Sequence, residues 1–106
     1  MKATTIVLPP EIKELRIPAA LFDTTKYPNL TRTSMFLYAI LLALPKSVDE
    51  NGNEYLEMST GEIKKIMGCR DTTFRTSFTY LKESGLVENY KPRFASVMRY
   101  IIKEVA

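Results

Sequence analysis

Residues 59–85 read STGEIKKIMGCRDTTFRTSFTYLKESG, and the spacing inside this stretch decides the fold. Ser59 followed by Glu62 is the capping-box pattern, in which two side chains satisfy backbone amides at a helix start. Ile63, Ile66 and Met67 then share one helical face, and Gly68 ends a short helix. Asp71 is placed to cap a further helix running from about Thr72 to Ser84, in which Phe74, Phe78 and Leu81 recur at i, i+4 and i+7. Lys82 falls in its last turn, and Gly85 suits a left-handed terminator. Two short helices separated by Gly68-Cys69-Arg70 make a helix-turn-helix.

Upstream, Tyr55-Leu56-Glu57-Met58 suits one short strand, entered through a tight turn at Asn51-Gly52. Met35 to Leu44 is apolar all round, with Thr31, Thr33 and Ser34 as candidate caps and Pro45 as the stop, so it predicts a buried central helix. The first thirty residues hold Pro9, Pro10, Pro18 and Pro28, which forbid a long helix and predict an extended arm packed through Leu15, Ile17, Leu21 and Phe22. Downstream, Leu86 to Tyr90 and Ser96 to Val105 are β-branched and aromatic and flank Lys91-Pro92-Arg93-Phe94-Ala95, predicting a β-hairpin with a basic tip. The expected fold is α+β: a winged helix-turn-helix of three helices, with a C-terminal β-hairpin wing and a proline-containing N-terminal arm. The arm is assigned to residues 1–30 and the winged-helix domain to residues 31–106.

A length of 106 residues supports one core, and 45% hydrophobic with 25% charged residues is ordinary globular composition. The apolar run is too short to cross a bilayer, and no signal peptide is read, so a cytoplasmic protein without membrane association is expected. One cysteine and no histidine leave no internal disulfide and no Cys/His metal cluster, so no metal or other cofactor is expected. No phosphate-cradling glycine loop is present, and a Ser-His-Asp set is impossible; the expectation is a protein that is not an enzyme and has no evident small-molecule ligand. Cys69 is read as a small core residue without chemistry.

The net charge of +3 is unevenly placed. Residues 1–69 carry eight basic and eight acidic side chains, whereas residues 70–106 carry seven basic and four acidic. Asp49, Glu50, Glu54 and Glu57 form an acidic patch with no basic residue among them, which a polyanion would avoid. With Phe74, Phe78 and Leu81 buried, the outer face of the third helix is Thr73, Arg75, Thr76, Thr79 and Tyr80, with Thr72 beside them. Threonine is a poor helix former, so four on one helix suggest a use beyond folding. Hydroxyls and an arginine suit phosphate oxygens and base edges in a major groove, and Arg70 could reach a phosphate beside the helix N-terminus. Lys91 and Arg93 could lie along the backbone or enter a minor groove. The candidate DNA-binding residues are therefore Arg70, Thr72, Thr73, Arg75, Thr76, Thr79, Tyr80, Lys91 and Arg93. Tyr80, Tyr90, Phe94 and Tyr100 could instead stack on unpaired bases, but core or cross-strand packing is the favoured reading of these aromatics.

Several short signatures resemble the N-terminal winged-helix domain of plasmid replication initiator A proteins of Gram-positive bacteria. They span Ile17 to Glu88: Ile17-Pro18-Ala19-Ala20-Leu21-Phe22, Tyr27, Leu30 and Tyr38-Ala39-Ile40-Leu41, then Asp49-Glu50-Asn51-Gly52 with Tyr55. Glu62-Ile63, Gly68-Cys69, Leu81 and Gly85-Leu86-Val87 complete the series. The resemblance implies binding of origin repeats, often as dimers, with Thr73, Arg75, Thr76 and Thr79 at the reading positions. Initiators of that family continue into a further domain, whereas this sequence ends at the wing. The expectation is therefore a sequence-selective binder of double-stranded DNA, either a transcriptional regulator or an accessory plasmid or mobile-element replication factor. It would act as a homodimer, self-associating through the arm. A protein-interaction winged-helix module and a single-stranded DNA binder are the alternatives.

Overall fold

The computed structural model describes residues 12–90 and 98–103. After a 3-10 turn at Ala19–Phe22 come α1 (Arg32–Ala43), β1 (Ser47–Val48), β2 (Glu54–Glu57), α2 (Thr60–Met67), α3 (Asp71–Glu83), β3 (Val87–Tyr90) and β4 (Arg99–Ile102). Of the three candidate caps for α1, Thr31 serves: its Oγ1 accepts from the Ser34 amide at 3.1 Å and meets the buried Ser34 hydroxyl at 2.9 Å. Leu37, Tyr38, Ile40 and Leu41 are fully enclosed, so α1 is the central helix that its all-round apolarity predicts. Beyond Pro45, Lys46 turns back and donates from Nζ to the carbonyls of Leu42 at 2.8 Å and Leu44 at 2.9 Å, occupying acceptors that the helix end leaves open. Burial lowers the Lys46 pKa, and the charge of Glu54 partly offsets this.

The sheet is antiparallel throughout, in the order β1-β2-β4-β3. β1 is too short to leave a periodic signal, and its pairing with β2 was not anticipated. The turn between them is held by Asp49, whose Oδ1 accepts from the amides of Asn51 and Asn53, each at 2.9 Å, while Gly52 takes φ 83°. Those amides, Asn53 first, lower the Asp49 pKa. β4 lies between β2 and β3, with Tyr100 opposite Leu56 on one side and Asn89 on the other. Its ring is fully buried as a result. Because β2 and β3 both run antiparallel to β4, they run parallel to each other. The acidic turn at 49–53 therefore sits at the end of the sheet opposite to where β3 leads toward residues 91–97.

The helix-turn-helix follows the sequence closely. Ser59 Oγ accepts from the Glu62 amide at 3.1 Å, and Gly68 closes α2 in the left-handed region at φ 63°. Asp71, however, does not cap α3. Arg70 occupies the cap position with extended backbone and no side-chain bond, and Asp71 is the first helical residue, its carboxylate drawn onto two cations described below. At the far end Leu86 N–H donates to Leu81 O and Gly85 N–H to Lys82 O, both at 3.1 Å, with Gly85 at φ 74°. This paired closure turns the chain into β3 and buries Leu86.

Phe74, Phe78 and Leu81 bury the inner face of α3, with Phe78 edge-on to Tyr100 at 5.4 Å and 74°. The Tyr38 hydroxyl donates to the Lys103 carbonyl, tying α1 to the end of β4. In the arm, Leu21 and Tyr27 are buried and Leu15 and Ile17 pack partly on the core, whereas Phe22, expected to pack, is 60% exposed because the 3-10 turn directs only Leu21 inward. Among the described residues no helix is long and apolar enough to cross a membrane.

Candidate nucleic-acid interface

α3 advances about 3.6 residues per turn. Burial of Phe74, Ser77, Phe78 and Leu81 therefore points Thr72, Thr76, Thr79 and Glu83 straight outward. Arg75 and Lys82 fall on the flank beside Phe78, toward the β3–β4 pair, and Thr73 and half-buried Tyr80 fall on the other flank. The candidate residues on α3 thus share one uncovered surface, with Tyr80 at its edge. Arg70 is exposed just before the helix. Lys91 and Arg93, with the rest of the hairpin tip and Phe94, lie outside the described residues.

Three details depart from the sequence reading. Arg75 is not a free cation: its Nε lies 2.9 Å from Asp71 Oδ2, one turn back, while Lys64 Nζ donates to Asp71 Oδ1 at 3.2 Å. Thr79 Oγ1 donates to the Arg75 carbonyl at 2.8 Å, so its hydroxyl proton serves the helix and only its oxygen lone pairs face outward. Glu83 is an outward carboxylate in the last turn, on a face whose sequence reading is hydroxyls and an arginine. An anionic partner is thereby disfavoured at Glu83 and favoured on the flank that carries Arg75 and Lys82.

The C-terminal basic excess is also partly spent. Arg99 is held by Glu57, Nε to Oε2 at 3.0 Å, and its guanidinium lies 4.2 Å from the Tyr55 ring centre. Lys103 pairs with Glu88 at 2.8 Å. The hydrogen bond that Arg99 donates to Glu57 is the main reason its pKa is raised. The acidic patch between 49 and 57 is therefore not free of basic neighbours, because β4 carries Arg99 to Glu57 from far along the chain. In exchange, Lys64 in the last turn of α2 belongs to the charge-balanced residues 1–69 yet reaches Asp71 at the start of α3. Charge counted along the chain does not reveal it, because the Gly68 turn folds α2 back on α3.

Between α3 and the strand pair runs a groove of about 300 Å³, with Arg75, Thr79, Lys82 and Asn89 among its polar walls and Phe74, Phe78, Met98 and Tyr100 among its apolar ones. Lys82 Nζ lies 5.6 Å from the Phe78 ring centre. The Tyr100 hydroxyl is buried with no hydrogen-bond partner among the described residues, and burial raises its pKa. Tyr100 is thus core, as the packing reading of the aromatics held, and Tyr80 and Tyr90 are half-buried. Cys69 is packed partly against the core, and burial raises its thiol pKa above the ordinary value.

An arm and three helices against an antiparallel sheet, with α2 and α3 joined by a tight turn and α3 followed by a strand pair, define a winged helix-turn-helix domain. Solved structures share this fold. One described as "N-Terminal domain of DNA binding protein" aligns with a TM-score of 0.74 and 23% identity over 87% of this chain and 75% of that one. One described as "Structure of Rep-DNA complex" gives 0.73 and 23% over the same shares, 87% and 75%. A third, "Structure of MDR initiator", gives 0.70 and 18% over 89% and 79%. No curated protein matches the chain in sequence. The family described as "Replication initiator protein A (RepA) N-terminus" matches residues 14–106, and the chain belongs to that family.

Proposed function

We propose that this domain binds double-stranded DNA sequence-selectively, as the DNA-contacting part of a plasmid or mobile-element replication initiator or accessory factor. The observation that carries the reading is the uncovered outer face of α3, with Thr72, Thr73, Arg75, Thr76 and Thr79 exposed together behind Arg70, in a chain of the replication initiator family. A relative in fold is described as a Rep–DNA complex, which supports the same partner. The first turns of α3 enter the major groove, where Arg75 meets base edges and the threonines meet backbone and base oxygens or donors. Arg70 and Lys64 lie on adjoining phosphates. The role is binding rather than catalysis, in the cytoplasm. The domain acts as a homodimer on paired half-sites, and Phe22, 60% exposed on the arm, supports self-association there.

The test is fluorescence anisotropy on duplexes selected from random DNA, over a series of salt concentrations. Affinity should fall steeply with salt, and Arg75→Ala should cost about 1–3 kcal/mol and relax sequence preference. Absence of duplex binding at low salt would instead favour a protein-interaction module, and preference for unpaired DNA would favour a single-strand binder.

A further inference from the structure

Asp71 stands where an acidic residue costs a DNA-binding surface most, in the first turn of α3 among its leading cations. Repulsion of phosphates by an exposed carboxylate is unfavourable unless the carboxylate does something else. Its two oxygens are divided between two partners: Oδ2 lies 2.9 Å from Arg75 Nε and Oδ1 accepts from Lys64 Nζ at 3.2 Å. Arg75 is itself largely exposed, with 77% of its side-chain surface open. A free arginine in that position samples many rotamers, and ordering it on binding costs side-chain entropy. A carboxylate 2.9 Å from its Nε narrows that range and leaves the two Nη groups to a partner. Paired Nη donors match the O6 and N7 acceptors of guanine in the major groove.

We propose that Asp71 is a specificity-determining positioning residue, holding Arg75 by its Nε edge so that its Nη groups read a guanine. The same negative charge discourages phosphates from lodging at the helix start when the register is wrong. Asp71 therefore contributes to discrimination and not to overall affinity. This rests on the proposed duplex binding.

The experiment is selection of bound fragments from random DNA, followed by competition anisotropy on the selected duplex and its single-base variants, for the parent, Asp71→Ala, Asp71→Asn, Arg75→Ala and the Asp71→Ala/Arg75→Ala pair. In the parent, one guanine position should depend on Arg75. Asp71→Ala should lower the preference for guanine there about tenfold, within the range of a bidentate base contact. Binding to unrelated duplex should stay equal or become tighter, and Asp71→Asn, which keeps a neutral acceptor, should fall between. In the Arg75→Ala background the Asp71 substitution should change base preference no further. A merely structural effect would lower affinity for all sequences together and leave the base preference unchanged. Unchanged guanine preference in a parent that binds selectively overturns the role of Asp71 alone. A parent that binds no duplex overturns it together with the reading on which it rests.

Discussion

Replacing Tyr100 by phenylalanine should stabilise the fold, because the structure separates what the ring contributes from what the hydroxyl costs. The ring is fully buried on the central strand β4 and sits edge-on to Phe78 at 5.4 Å, contacts that phenylalanine retains. Among the described residues the hydroxyl has no hydrogen-bond partner. A buried polar group left unsatisfied costs about 1–3 kcal/mol. Removing it opens a void of about one water probe, about 10–15 Å³, which at about 24 cal/mol per Å³ costs about 0.3 kcal/mol. The balance favours Tyr100→Phe by about 0.7–2.7 kcal/mol, with a rise in Tm of about 4–8 °C for each kcal/mol. Urea unfolding should show a higher midpoint with an unchanged slope, since the buried surface is the same. Because burial raises the phenol pKa above 10.0, the folded chain keeps its proton longer than the unfolded chain does. The parent therefore loses stability as pH rises above that value, and the variant should lack that loss. A midpoint that falls by the equivalent of about 1 kcal/mol would refute the reasoning, for it would mean that the hydroxyl is satisfied, as by water in the adjoining groove.

Three further outcomes follow from the same geometry. Gly85→Ala should destabilise by about 1 kcal/mol in thermal unfolding: no atom crowds the new Cβ, and the cost is the φ of 74° alone. Asp49→Asn should reduce the stability lost on acidification below pH 3.8. The lowered pKa of Asp49 means that its contribution is present above that value and disappears as the carboxylate is protonated, which an acid titration followed by circular dichroism reads. Lys82→Ala removes a cation from the groove beside α3. It should weaken binding to all duplexes alike and lower the slope of log affinity against log salt by about 0.9, whereas a sequence-dependent effect would place Lys82 at a base.

Local order was legible because local signals specify it. The Ser59–Glu62 pair, Gly68 and Gly85 act within a few residues, and each sits where its spacing places it. Asp71 shows where such reasoning stops. Its position suits a cap, but a cation one helical turn ahead and another on the preceding helix compete for its oxygens and prevail. β1 escaped notice because two residues carry no period, and its pairing comes from the Asp49 turn and β2. Phe22 was read as core because it is apolar, although a 3-10 turn directs only one of its two large apolar side chains inward.

The sequence by itself determined the helix order, the Ser59 cap, the turn between α2 and α3 and the inner face of α3, since these depend on side chains at fixed short spacings. Which charges remain available was decided only by the tertiary structure. Arg99 is spent on Glu57 across the sheet, Lys103 on Glu88 across β3 and β4, and Lys64 is brought from the neutral half to Asp71. Charge acts through space over a few ångströms, and chain folding sets those distances independently of separation in sequence.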